Sequence, residues 1–113
     1  MLVLTRKTGS VIYGGRRMGA NIESNYDHKF TTVKIVDNIR DRFAIIAVED
    51  RDGAVDSFRL DAANDEFYVD DVRVALVGIR QISGADDALV ARIGIDAPRD
   101  YQVVRDDANK KFV

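Results

Sequence analysis

Residues 1–9 read Met-Leu-Val-Leu-Thr-Arg-Lys-Thr-Gly, and residues 92–107 read Arg-Ile-Gly-Ile-Asp-Ala-Pro-Arg-Asp-Tyr-Gln-Val-Val-Arg-Asp-Asp. The first stretch predicts a strand with two adjacent cations, and the second predicts two strands joined by a turn at the chain's one proline. Side chains alternate between the two faces of a strand. Each end strand therefore carries an apolar residue and an arginine on one face: Leu4 with Arg6, and Val103 with Arg105. The two faces could together form a small site for an anionic, partly aromatic ligand such as RNA.

Length and composition set the class of protein. The chain has 113 residues, of which 46% are hydrophobic and 32% are charged, which predicts one soluble globular domain. Because cysteine is absent, a disulfide framework and a thiolate metal site are excluded, and a cytoplasmic location is favoured. The opening residues lack the layout of a signal peptide, and no apolar run is long enough to span a membrane. The net charge of −2 argues against indiscriminate nucleic-acid binding, although 17 cations leave room for a local basic patch.

Most of the chain predicts strands, so we expect an all-β fold. Strand-like stretches occupy residues 1–7, 11–13, 30–36, 42–49, 54–60, 67–69, 72–79, 89–95 and 101–105. Asp52-Gly53 predicts a hairpin turn, because glycine accepts the positive φ that tight turns need. Residues 16–29 are predicted to be a loop, 61–66 a loop or one helical turn, and 83–87 a turn. The tail at 106–112 is the only predicted helix, a short stub.

Two blocks of the chain share a faint pattern. Each begins with an apolar strand, at residues 33–36 and 72–76, and each leads to an Ile-Arg pair. Each then continues through a second apolar strand and an acidic turn to a strand that ends in arginine and aspartate. Short meanders resemble each other for purely physical reasons, so common ancestry and coincidence both stay open.

Taken together, the two ends of the chain resemble the carbon storage regulator family (CsrA/RsmA), small bacterial regulators of mRNA translation. Residues 1–9 are similar to the family's first strand, and residues 94–107 are similar to its fourth strand, turn and fifth strand. Its second and third strands resemble residues 10–14 and 72–80. The resemblance therefore implies a single CsrA-like domain with two core segments and an inserted β-meander: core 1–15 and 70–113, insertion about 16–69.

Members of that family are intertwined homodimers of five-stranded chains, in which the first strand of one protomer lies beside the fifth strand of the other. The resemblance implies such a homodimer, and it implies that the facing residues bind RNA: Leu4, Thr5, Arg6, Lys7, Ala97, Pro98, Arg99, Val103, Val104 and Arg105. The implied ligand is a GGA element in single-stranded or hairpin-loop mRNA. The implied function is control of translation initiation or mRNA stability.

The chemistry of these residues suits that ligand. The planar fork of arginine fits a guanine edge or a phosphate, so Arg6 and Arg105 would divide these two roles. Leu4 and Val103 would supply an apolar floor, and Pro98 would stiffen the turn between the last two strands.

Several features depart from the family pattern. Val104 stands where the family has histidine, Ser10 replaces an acidic residue, and the longer C-terminal helix of the family is reduced to a stub. The inserted meander could cover the RNA site, extend it, or bind a protein partner. A CsrA-like scaffold that has become a protein-interaction module is therefore an alternative function. A monomer, in which the insertion supplies what a partner chain usually supplies, is a further alternative.

No sequence pattern supports catalysis, a cofactor or a metal. The chain lacks a nucleophile elbow and a phosphate-cradling glycine motif, so we expect a non-enzyme. His28 is the only histidine and is expected at the solvated surface. Arg16-Arg17 is expected in a solvated loop. The acidic pairs are expected at turns or strand ends: Asp70-Asp71, Asp86-Asp87 and Asp106-Asp107.

Overall fold

The structure, a computed structural model, describes residues 1–19, 22–62, 65–82 and 88–105. Its elements are β1 (Leu2–Lys7), β2 (Val11–Gly15), α1 (Ile22–Asn25), β3 (His28–Asp37), β4 (Arg42–Asp50), β5 (Val55–Asp61), β6 (Glu66–Val69), β7 (Val72–Ile82), β8 (Ala88–Asp96) and β9 (Gln102–Arg105). The all-β prediction is confirmed. The predicted turn at 83–87 and helical stub at 106–112 lie outside the described residues, as do residues 63–64 of the predicted 61–66 loop.

The strands form two antiparallel sheets. The four-stranded sheet has the order β1-β8-β7-β6, and the five-stranded sheet has the order β5-β4-β3-β2-β9. Strands β2 to β5 follow one another as a meander, and so do β6 to β8. The end strands break this order, because β1 pairs with β8 and β9 pairs with β2. Each sheet is therefore completed by a strand from the far end of the chain.

Local turn chemistry fixes the hairpins. The predicted turn between β4 and β5 is confirmed: Gly53 has a φ of +85°, and the Asp50 carboxylate accepts the backbone N–H groups of Asp52 and Ala54. Between β6 and β7, Asp70 has a φ of +53°, a conformation that aspartate tolerates better than most residues. These turns set the registers of their hairpins.

The core lies between the two sheets. Inward-facing aliphatic side chains from both sheets fill it: Ile12, Ile35, Ile46 and Leu60 from one, and Val72, Val74, Leu76, Ile93 and Ile95 from the other. Phe58 of β5 and Phe67 of β6 stack across the gap, with ring centroids 4.1 Å apart and planes within 4°. This stack joins the sheets at the side opposite β1 and β9.

A β-bulge in each sheet keeps the core residues pointing inward. The register of β3 against β4 shifts at Val33, and that of β7 against β8 shifts at Val77. One extra residue reverses the alternation of a strand, so Leu76 and Ile79 are both buried although they lie three residues apart. Strict alternation of side chains along the strand would place these two residues on opposite faces.

The segment predicted to be an inserted meander contributes to both sheets. Strands β3, β4 and β5 make up most of the five-stranded sheet, and β6 forms an edge of the four-stranded sheet. The two blocks with a shared pattern form hairpins β3–β4 and β7–β8, one in each sheet. Their last strands differ, because β5 pairs with its neighbour β4, whereas β9 leaves β8 and pairs with β2. No helix among the described residues is long and apolar enough to cross a membrane.

Replacement of Gly14 by alanine should destabilise the fold through the contact between β2 and the residue before β9. A methyl group at Gly14 would overlap the buried phenol ring of Tyr101. Because a rigid ring must then move, we expect the free energy of unfolding to fall by about 1–3 kcal/mol. Gly78→Ala in β7 is the matched control, because a methyl group there meets nothing within 4 Å. Urea unfolding of both variants tests this, and equal losses would contradict it.

Candidate functional site

The two end strands lie side by side at neighbouring sheet edges, with two cavities between them. The first, which we call the basic cavity, has a volume of about 350 Å³ and is lined by Thr5, Arg6, Lys7, Ser10, Ile82, Val90 and Arg105. The second, the apolar cavity, has a volume of about 250 Å³ and is lined by Met1, Leu2, Ile95, Asp96, Ala97, Tyr101 and Val103. The beginnings of β1 and β9 border the apolar cavity and their ends border the basic cavity. The two strands therefore run in the same direction within one chain.

Three cations surround the basic cavity. Arg6 points inward from β1 and its side chain is only 5% exposed, whereas Lys7 and Arg105 are exposed at the rim. The described lining residues include no carboxylate. Arg6 is the one buried member of these three cations. The cavity is suited to an anionic group.

The apolar partners of these cations lie beneath the cleft. Leu4 and Val103 are half-buried and pack against the core, and Leu4 shares the inward face of β1 with Arg6. Thr5 and Lys7 take the outward face of β1. Val103 lines the apolar cavity, whereas Leu4 lines neither cavity.

The turn before β9 is compact. The Tyr101 backbone N–H donates to the Pro98 carbonyl oxygen at 3.0 Å, and Ala97 packs against the core. Ala97 lines the apolar cavity, while Pro98, exposed Arg99 and half-buried Val104 line neither cavity. Of the ten residues predicted for the site, the structure thus brings four to the basic cavity and two to the apolar cavity: Thr5, Arg6, Lys7 and Arg105, and Ala97 and Val103.

A buried polar network that the sequence did not reveal holds this turn in place. The Tyr101 hydroxyl lies 2.9 Å from Nδ1 of His28, and Nε2 of His28 lies 3.0 Å from a carboxylate oxygen of Asp70. A carboxylate only accepts, so Nε2 donates to Asp70, and Nδ1 shares the second hydrogen bond of the ring with the Tyr101 hydroxyl. The network connects β3, the β6–β7 turn and the start of β9.

The prediction that His28 lies at the solvated surface is wrong. The side chain is 4% exposed. Strand β3 begins at His28, two residues earlier than predicted, and its period of two places His28 on the same inward face as Phe30 and Thr32. Its neighbour Asp70 lies 42 residues further along the chain, so no local pattern could indicate the contact.

Arg16 forms a second connection to the same turn. Its Nε donates to Asp100 at 2.9 Å and its Nη2 donates to Asp71 at 2.5 Å. The hydrogen bond that Arg16 donates to Asp71, followed by the one that it donates to Asp100, raises the pKa of the guanidinium. The guanidinium also lies 5.9 Å from the centre of the Tyr101 ring. Since the group is exposed, its contribution is chiefly to fix geometry.

The described residues offer little support for other chemistry. A cavity of about 190 Å³ beside His28 also contains the carboxylates of Asp50, Asp56 and Asp70. Within the described ranges, however, no group of three or more histidine and acidic side chains is arranged to hold a metal ion. The one histidine is occupied by its hydrogen bonds to Tyr101 and Asp70.

Comparisons with family models, with curated proteins and with solved structures found no match to this chain.

The buried Tyr101 should make stability depend on alkaline pH. Burial, followed by the charge of Asp27, raises the pKa of Tyr101 above its ordinary value of 10.0. The folded state then binds more protons than the unfolded state above about pH 10, so stability is intact below that pH and falls as pH rises beyond it. Tyr101→Phe should make this alkaline fall shallower. At neutral pH it should cost about 1–3 kcal/mol, because His28 loses a buried partner.

Urea unfolding at about pH 8 and about pH 10.5 measures both effects. Tyr68→Phe is the control, because the Tyr68 side chain is 62% exposed. If the two variants gave the same pH profile, the assignment of the alkaline effect to Tyr101 would be wrong.

Proposed function

We propose that the protein binds single-stranded or hairpin-loop mRNA that carries a GGA element in the cleft between β1 and β9, and that this controls translation initiation or mRNA stability. The observation that supports it is the meeting of Arg6, Lys7 and Arg105 around one cavity, although they come from opposite ends of the chain. In a chain of net charge −2, the gathering of three cations around one cavity favours an anionic ligand.

The geometry suits an unpaired RNA segment better than a duplex. Unpaired bases are recognised by their exposed edges and by apolar contact, while cations hold the phosphates. Val103 in the apolar cavity offers apolar contact, and exposed Arg105 offers a planar fork for a guanine edge or a phosphate.

The chain itself supplies both sides of the proposed site. The resemblance to intertwined dimers implies that a partner protomer contributes the last strand, but here β1 and β9 of one chain border the same two cavities. We therefore propose a site that is complete in the monomer. A homodimer is compatible with this site but is not required for it.

A protein-interaction module is the second candidate. Its support is the opposite side of the molecule, where β5 and β6 are the edge strands of their sheets and carry the exposed apolar side chains of Val55 and Tyr68. Exposed edges with apolar side chains are typical places for another chain to pair. This candidate uses the predicted meander and leaves the β1–β9 cleft without a role.

Titration with a short RNA hairpin whose loop contains GGA, against a hairpin with CCA in its place, tests the proposed function. We expect tight binding to the first, much weaker binding to the second, and loss of affinity as salt rises. Arg105→Ala should cost about 1–3 kcal/mol of binding free energy. Arg17→Ala is the matched control, because Arg17 is exposed and lines neither cavity.

Arg6 needs a different design because it is buried. Arg6→Lys keeps the charge but loses the planar fork, and its free energy of unfolding is measured alongside its affinity. Reduced affinity with unchanged stability supports a direct role. Binding that does not distinguish GGA from CCA, and that ignores Arg105→Ala, would reject the RNA proposal and favour the protein-interaction module.

A further inference from the structure

Three exposed cations lie together on the outward face of the four-stranded sheet. Pairing of β1 with β8 and of β8 with β7 puts Lys7, Val90 and Arg80 in one row across the sheet. The next row contains Thr5, Arg92 and Gly78. We call Lys7, Arg80 and Arg92 the cationic face. Strands lie about 4.8 Å apart, so Lys7 and Arg80 are separated by about 10 Å, with Arg92 between them on the neighbouring row.

These cations differ in their ion pairing from several other arginines of the chain. Several arginines elsewhere are held by carboxylates: Arg16, Arg42, Arg51, Arg59 and Arg73. In the part of the chain that the structure describes, Lys7, Arg80 and Arg92 form no ion pair. The two rows contain no carboxylate, and Glu66 in the following row is bound to Arg73. The positive charge of this face is therefore uncompensated by its described neighbours.

The cationic face is continuous with the basic cavity. Thr5 and Lys7 line that cavity and also stand in the two rows of the outer face. A chain of phosphates that leaves the cavity at Lys7 would meet Arg92 and then Arg80 within two strand spacings. An anionic polymer that occupies the cavity can thus extend over the sheet without crossing a described carboxylate.

We propose that the cationic face binds the phosphates of nucleotides that flank the RNA element held between β1 and β9. This rests on the proposed function and adds a second contact surface to it. Arg80 and Arg92 would bind backbone and not bases, so they add affinity without sequence preference. RNA fits better than an acidic peptide, because the cationic face is continuous with the basic cavity in which we propose that RNA binds.

The test compares two RNAs and two double variants. One RNA is the short GGA hairpin, and the other is the same hairpin with an unstructured single-stranded extension of about eight nucleotides, placed on either side in turn. Arg80→Gln/Arg92→Gln removes two charges from the cationic face. Arg17→Gln/Lys34→Gln is the matched control, because both residues are exposed and lie outside the four-stranded sheet.

We expect the extension to tighten binding to the wild type and to the control, but not to Arg80→Gln/Arg92→Gln. For the extended RNA, the slope of log affinity against log salt should be smaller in that variant by about 1.4, since each single-strand phosphate contact contributes about 0.7. Between about 50 and about 200 mM salt, the wild type should then lose about sevenfold more affinity than the variant. All three proteins should bind the short hairpin alike.

Two results would overturn the inference. One is an equal gain from the extension in all three proteins, with equal salt slopes. The other is tight binding of a polyglutamate peptide to the wild type, equal to that of unstructured RNA of the same charge and equally dependent on Arg80 and Arg92. The ligand of the cationic face would then be an acidic protein. A separate result, equal binding of the GGA and CCA hairpins, would contradict the proposed function itself.

Discussion

The pairing of β9 with β2 is the contact on which the candidate site depends. Strand β8 ends at Asp96, and its natural continuation would be a hairpin partner in the same sheet. Instead the chain turns at Pro98 and joins the other sheet beside β2, which leaves β9 next to β1. Only this crossing brings Arg105 to the cavity that contains Arg6. The contacts of the turn before β9 help to hold this crossing in place.

Those contacts explain how the polar side chains of His28 and Tyr101 can be buried. The ring of Tyr101 occupies the space that Gly14 leaves, and its hydroxyl is satisfied by His28, which is in turn satisfied by Asp70. A buried network of this kind is favourable only when every member has a partner, so it specifies one position of the turn. Arg16 then ties Asp100 and Asp71 together at the surface. Together these contacts support the turn that leads into β9.

Local features of the fold could be predicted from the sequence, and long-range pairing could not. Alternation and turn residues located nearly every strand and the Asp52-Gly53 hairpin, because these depend on neighbours in the chain. Alternation alone did not locate the bulges at Val33 and Val77, nor the buried position of His28. The prediction that the two ends of the chain form one site rests on a resemblance to a known family and not on a local pattern. The basic cavity is lined by residues from both ends of the chain. The cationic face was missed, because Arg80 and Arg92 become neighbours of Lys7 only through strand register.

The same topology changes the interpretation of residues 16–69 as an insertion. An insertion would be an addition to a domain that is complete without it. Here, however, β2 pairs with β3 on one side and with β9 on the other. Removing the segment would take away the support of β9 and with it one side of the cleft. The four-stranded sheet would also lose β6 and the stack of Phe67 on Phe58. The segment is therefore part of the scaffold that positions Arg105 against Arg6, and a site complete within one chain requires it.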